Sequence, residues 1–235
     1  MSRTITVIGA TGHLGRLAVE ALLERGVAPS DIRATGRATE RLADLADRGV
    51  QVLRVDRDDE AAVADAVRGA ASVLLVSGTE PGRVEQHRRV VEAAREAGVE
   101  QLVYTSGPHA RGSSVRLLAD HAATEELLET SGVPHTVLRN AWYVENYTGQ
   151  VETYRAHGMV GSAGEGRVSL APRREYAEAA AVVLTTDGHL GKVYELGGEA
   201  HTLAEVAAVI GETIGQEVAY TDVPVEQLQQ VTVFE

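Results

Sequence analysis

At 235 residues the chain is long enough for one large α/β domain with a substantial core and short for two full domains. It is 44% hydrophobic but only 4% aromatic, so the interior is expected to be built from Ala, Val, Leu and Ile, as buried parallel strands and their covering helices are. A net charge of -12 disfavours nucleic acid as a partner, and the absence of cysteine excludes disulfides, thiolate metal sites and a cysteine nucleophile. No run of about 18 apolar residues suggests a membrane span, and Met1 to Val7 leads straight into a strand, so the expected location is the cytoplasm and the expected partners are small molecules.

Residues 5–8 read as a short β-rich strand, and residues 14–23 carry apolar side chains at helical spacing, stopped by Gly26. A second strand is predicted at 32–35, a charged helix at 40–48 and an alternating strand at 50–55. The alternation then repeats, with helix 61–67, strand 72–76, helix 84–97 ending at Gly98, strand 101–105, helix 117–130 and a sixth strand at 136–138. Strands separated by helices in this way predict a Rossmann-type, doubly wound parallel sheet with right-handed crossovers. Beyond Asn140 the pattern loosens into a glycine-rich loop at 158–166, a helix at 176–184, a strand at 193–196, a helix at 203–214 and a strand at 217–220.

Between the first strand and the first helix stands Gly9-Ala10-Thr11-Gly12-His13-Leu14-Gly15, spaced G-x-x-G-x-x-G. Backbone amides at such a turn, with the positive end of the following helix, offer a seat for a pyrophosphate, and glycines let the backbone approach it. About twenty residues on, an NAD site carries an acid for the ribose hydroxyls, but this chain has Thr35-Gly36-Arg37; Arg37, with Arg41 nearby, predicts a 2′-phosphate and hence NADP(H). Asp56 after the third strand and Ser77-Gly78 after the fourth stand where such sheets contact adenine and the ribose or pyrophosphate. The expected organisation is a single NAD(P)-binding domain over 1–235. A Rossmann core spans 1–140, and 141–235 supplies substrate-shaping elements, the last core strand and a small C-terminal lobe.

These residues, together with Val103-Tyr104-Thr105-Ser106, Asp120-His121-Ala122-Ala123-Thr124-Glu125 and Leu138-Arg139-Asn140-Ala141-Trp142-Tyr143-Val144-Glu145-Asn146-Tyr147, resemble the NmrA-like atypical short-chain dehydrogenase/reductases. Within that group the resemblance is to the NADPH-dependent quinone oxidoreductases and triphenylmethane-dye reductases, and it implies Thr105 at the cofactor. The wider superfamily uses Ser, Tyr and Lys, with tyrosine four residues before lysine on one helix face. Here Leu117 takes the tyrosine position and His121 the lysine position, the single lysine is Lys192 far downstream, and Ser106 keeps its place. The resemblance also implies a chain that continues past Val231-Thr232-Val233-Phe234-Glu235, so the substrate lobe is expected to be shortened, with a more open pocket or a second subunit covering it.

The reaction implied is hydride transfer to a quinone or similar electron-poor, dye-like acceptor, which needs less help from a protein acid than an unactivated ketone does. His121, Ser106 and Tyr104 are the expected catalytic residues, and Asn140, Trp142, Tyr143 and Asn146 the expected substrate wall. Two other readings remain open on the sequence: a non-catalytic NADP(H) redox sensor, which Arg37 fits equally, and a sugar-nucleotide epimerase or dehydratase, against which the missing tyrosine–lysine pair counts.

Overall fold

The structure is a computed structural model that describes residues 3–113 and 115–231, side chains excepted at residues 116 and 229–231. The terminal Thr232-Val233-Phe234-Glu235 lies outside the described residues. In chain order the elements are β1 (Ile5–Ile8), α1 (His13–Glu24), β2 (Ile32–Gly36), α2 (Ala43–Asp47), β3 (Gln51–Arg54), α3 (Glu60–Val67), β4 (Ser72–Leu75), α4 (Arg83–Glu96), β5 (Gln101–Ser106), α5 (Arg116–Ser131) and β6 (His135–Asn140). There follow β7 (Trp142–Tyr143), α6 (Glu145–Thr148), α7 (Val151–His157), β8 (Met159–Gly161), β9 (Arg167–Ala171), α8 (Arg173–Thr185), β10 (Val193–Leu196), β11 (Ala200–Thr202), α9 (Leu203–Ile214), β12 (Tyr220–Asp222) and α10 (Val225–Val231).

Two compact units result: residues 1–140 with 173–196, and residues 141–172 with 197–235. The first holds a seven-stranded sheet in the order β10-β6-β5-β4-β1-β2-β3, every neighbouring pair parallel. Strand order reverses at β1 and β4, so a crevice for a ligand is expected beyond their carboxyl ends. β4 and β5 are buried along their whole length, the signature of strands covered on both faces. Val73, Leu75, Leu102 and Tyr104 join Val63, Val67, Val90, Ala94 and Leu128 in one core. On the other face α1 packs on α8, and its end is held by Arg25 Nε to Thr185 Oγ1 at 2.7 Å and by the Arg174–Glu24 ion pair at 2.9 Å.

The predicted helix over 40–48 is broken into a 3₁₀ turn, Thr39–Leu42, and α2. Arg16 is the reason: its Nη1 donates to the Arg41 carbonyl at 2.8 Å and its guanidinium grips Asp44, so that carbonyl is engaged from outside the helix.

In the second unit β9 pairs with β11 and β7, β8 pairs with β12, and Tyr154, Met159, Val206, Ala207, Ile210 and Val218 form the core. α9 begins with a capping box, Thr202 Oγ1 accepting the Glu205 amide while Glu205 accepts that of Thr202. The glycine-rich 158–166 loop opens with a strand, β8, and the strand expected at 217–220 begins only at Tyr220. Residues 216–218 instead cross α9 closely at Gly211, where a Cβ would lie 2.8 Å from the Gln216 carbonyl, and pairing starts with the Met159 amide on the Ala219 carbonyl.

Candidate functional site

Gly12 is the N-cap of α1, and it has no side chain with which to cap the helix; no acid stands in the first turn. The amides at 13–15 therefore form a positive helix end without a side-chain acceptor. Gly9 adopts φ +95°, a left-handed conformation that suits glycine, while its own amide and that of Ala10 bond to the Thr35 carbonyl at 3.2 and 2.8 Å. A Cβ on Gly15 would collide with the Gly9 carbonyl and stand 2.8 Å from Ala10 Cα, so Gly15 lets the helix seat against the turn. At Gly12 a Cβ would meet only the Gly9 carbonyl, at an ordinary 3.4 Å. Gly12 and His13 are exposed, Leu14 is buried, and Thr11 packs its side chain over Gly36 at the end of β2. The cradle fits a dinucleotide: glycine at 15 is demanded by the protein's own packing, whereas at 12 the protein's own atoms leave room for a Cβ.

Arg37 leaves β2 exposed, and its Nη2 donates to Glu80 Oε1 at 3.1 Å. Asp56, past β3, is exposed and accepts the Asp58 amide at 3.1 Å. Beyond β4 the Ser77 amide donates to Thr105 Oγ1 at 3.0 Å, so the buried Thr105 holds the Ser77-Gly78 loop and faces no solvent itself.

Three residues that sequence reasoning did not single out complete this end. Arg57 lies between the two turns, its Nη2 2.7 Å from where a Cβ on Gly9 would stand and its Nη1 3.1 Å from that on Gly78. Burial pushes its guanidinium below the ordinary value, with Glu80 acting the other way. Glu80 enters from the β4 loop; its carboxyl is held low first by its own backbone amide, then by Arg57 and Arg37. Arg83, 2% exposed, donates to the Gly78 carbonyl at 2.8 Å, the Leu117 carbonyl at 2.6 Å and Asp120 Oδ2 at 2.8 Å, tying that loop to α5. The signal for Arg57 was present: like Arg37 it is an arginine just past the carboxyl end of a parallel strand.

At β5 and α5 the expected catalytic side chains are each hydrogen-bonded to a buried neighbour. Tyr104 is fully buried with its hydroxyl 2.8 Å from His121 Nδ1. Ser106 is buried and donates to Glu125 Oε1 at 2.6 Å; Arg139 pairs with the same carboxylate at 2.9 and 2.6 Å and reaches Glu195 at 2.8 Å. The hydroxyl is therefore committed to an ion network rather than standing free. Burial works to raise the Glu125 carboxyl, but Arg139 and Ser106 hold it low.

His121 is 7% exposed, and burial followed by the Arg83 charge pushes its pKa down to about 4, so the ring is neutral near pH 7. Which partner donates follows the imidazole tautomer: with the phenol as donor the ring proton sits on Nε2, the edge turned to Gly107, where a Cβ would lie 3.8 Å away. His87 lies deeper, fully buried, its Nδ1 2.9 Å from Thr124 Oγ1 and its pKa pushed by burial to about 3. Burial drives the Tyr104 phenol in the opposite direction, above its ordinary value.

Of the expected substrate wall, Asn140 is buried at the end of β6 in the first unit. Trp142, 44% exposed, the half-buried Tyr143 and the half-buried Asn146 belong to the second unit, on β7 and α6. Among the described residues no group of acids and histidines could hold a metal ion, and no helix is long and apolar enough to cross a membrane.

The chain matches the NmrA-like family over residues 1–235. It is 42% identical over 219 residues to quinone oxidoreductase 2 of Escherichia coli, an alignment covering 92% of this chain and 76% of that one. Among solved structures, the NADPH-dependent quinone oxidoreductase of Escherichia coli complexed with NADPH has a TM-score of 0.93 at 40% identity, covering 99% of this chain and 83% of the other. The triphenylmethane reductase of Citrobacter sp. complexed with NADP(H) follows at 0.91 and 36%, covering 98% and 82%. With the glycine turn, the arginine at the end of β2 and the histidine in place of a lysine on α5, these likenesses extend over nearly the whole sequence, and the chain belongs to the NmrA-like family.

Proposed function

We propose that the protein is an NADP(H)-dependent oxidoreductase that passes hydride to a quinone or related electron-poor acceptor. The observation that carries this reading is the Gly9–Gly15 turn, with its uncapped helix end and open Gly12, whose Thr11 packs over Gly36, the residue before Arg37. NADPH, when bound, supplies the hydride. The amides of the turn bind its pyrophosphate, Arg37 its 2′-phosphate, and the Ser77-Gly78 loop, braced by Thr105 and Arg83, lines the path between.

His121 is positioned by Tyr104 as a neutral donor, able to hydrogen-bond an acceptor oxygen as negative charge develops there. A hydroquinone anion is stabilised by its own ring and takes its last proton from water, so a tyrosine–lysine pair is dispensable. Leu117 offers no proton, which leaves alcohol oxidation without its usual base.

The test is NADPH consumption followed by absorbance with a panel of quinones and dyes. Turnover with quinones, slower with NADH and negligible oxidation of secondary alcohols by NADP⁺ are the expected results. Robust alcohol dehydrogenase activity would refute the quinone reading, and tight NADPH binding without turnover on any acceptor would favour a redox sensor. His121→Ala should keep measurable turnover, since general acid help contributes about 10²- to 10⁴-fold and a quinone needs little of it, with the larger loss in acceptor KM.

A further inference from the structure

Two guanidiniums converge on one carboxylate at the edge of the glycine turn. Arg37, from the end of β2, engages Glu80 Oε1 at 3.1 Å. The other oxygen, Oε2, is buried without a hydrogen-bond partner among the described residues, and so is Nη1 of Arg57. Both atoms crowd the place a Cβ on Gly78 would occupy, and Arg57 Nη2 crowds that of Gly9. Opposite charges are thus brought to one spot with a bond left unmade on each, an arrangement that is expensive unless something else completes it.

We propose that Glu80 occupies the seat of the cofactor's 2′-phosphate in the unliganded protein, and that Arg57 is a second cation for that phosphate, so that binding exchanges a carboxylate for a phosphate between the same two arginines. The inference rests on the dinucleotide reading above and deepens it. A carboxylate has two oxygens and satisfies one arginine here; a phosphate monoester presents three terminal oxygens and more charge, enough to engage both. The Glu80 carboxyl is held low first by its own backbone amide and then by Arg57 and Arg37, and the Glu80 charge in turn opposes the burial that pushes the Arg57 guanidinium down, which agrees with an anion seat already filled by the protein. Glu80 is then a competitor: dinucleotides with the phosphate displace it, and those without it have no charge to offer in exchange.

The experiment compares 2′,5′-ADP with 5′-AMP by calorimetry on the full chain, with thermal unfolding of each unliganded variant. Glu80→Gln should bind 2′,5′-ADP about five- to tenfold more tightly and 5′-AMP within about twofold of the parent. The same variant should unfold at a lower temperature without ligand, because Arg57 loses its countercharge. Arg57→Gln should weaken 2′,5′-ADP about tenfold and leave 5′-AMP nearly unchanged, with Arg57→Lys intermediate, since lysine keeps the charge without the fork.

A Glu80→Gln protein that binds 2′,5′-ADP no more tightly than the parent overturns the proposal. So does an Arg57→Gln protein weakened equally for both nucleotides, which would make Arg57 a platform for adenosine. A parent that binds neither nucleotide overturns the dinucleotide reading itself and this inference with it, a result distinct from normal parent binding with the wrong response in the variants.

Discussion

The glycine turn and the face between β5 and α5 lie in the same unit and are built on opposite plans. The turn works by what is missing: no side chain at 9, 12 or 15, no cap on α1 and no acid in its first turn. The β5–α5 face works by what is already engaged: Tyr104 on His121, Ser106 on Glu125, Glu125 on Arg139 and His87 on Thr124, all buried or nearly so. An open site spends little of its structure before the ligand arrives, whereas a closed one is held by bonds among its own residues. Substitutions in the two regions should therefore fail in different ways.

The largest contrast lies within the turn itself. Gly15→Val should destabilise the protein by about 3 kcal/mol or more, seen as a marked fall in Tm, because the added atoms meet main chain at Gly9 and Ala10 that has nowhere to go. Gly12→Val should fold normally and lose NADPH binding by calorimetry, since its Cβ meets only the Gly9 carbonyl at 3.4 Å and the side chain would enter the proposed pyrophosphate seat. Unchanged NADPH affinity in Gly12→Val would reduce the turn to a structural feature.

The closed face should show itself in acid. His87 and His121 have folded pKa values of about 3 and about 4 against an ordinary 6.5, so the unfolded chain binds more protons between those limits. Their contribution is present above pH 6.5 and is lost as pH falls toward the folded values. By pH 5 each costs roughly 2 kcal/mol relative to pH 7, measurable by urea unfolding at the two pH values. His87→Asn should flatten that dependence; an equally steep fall in the variant would place the acid sensitivity elsewhere.

Arg37→Asp tests the open region at its rim. A charge-assisted contact to phosphate contributes about 1.5 to 3 kcal/mol, so the preference for NADPH over NADH should fall about tenfold to a hundredfold or reverse. Equal NADPH and NADH affinities in the parent would remove the basis of the assignment. Thr105→Val, the smallest change, deletes the acceptor of the Ser77 amide, and should cost about 1 kcal/mol of stability and raise the NADPH KM severalfold.

The same contrast explains what could be read from the chain. Repeating strand and helix patterns placed β1 to β6 and their helices within a few residues, and the turn was legible because glycines and the missing acid at Arg37 are properties of single positions. Short strands such as β7, β8 and β11, of two or three residues, carry too little periodicity to be seen, and β12 started late because 216–218 are held against Gly211. At the β5–α5 face the residues were identified but not their bonds. Whether Ser106 is free depends on Glu125 and Arg139, and whether Tyr104 reaches an acceptor depends on burial that a local sequence does not encode. Glu80 escaped for a related reason: it looks like a solvated loop charge until three turns are brought together.

Arg83 ties the Ser77-Gly78 loop to α5, and the kind of acceptor it uses has a consequence for which positions tolerate substitution. Two of its three partners, at Gly78 and Leu117, are main-chain carbonyls. A carbonyl is supplied by whatever residue occupies the position, so on α5 the side chain at 117 can change without untying the loop from the helix, whereas at 78 Glu80 and Arg57 leave no room for a Cβ. Arg83 itself has no such latitude, because a lysine offers one point of charge where three diverging donors are in use. Substitution at the exposed Leu117 thereby leaves the spacing between the loop and α5 as Arg83 sets it.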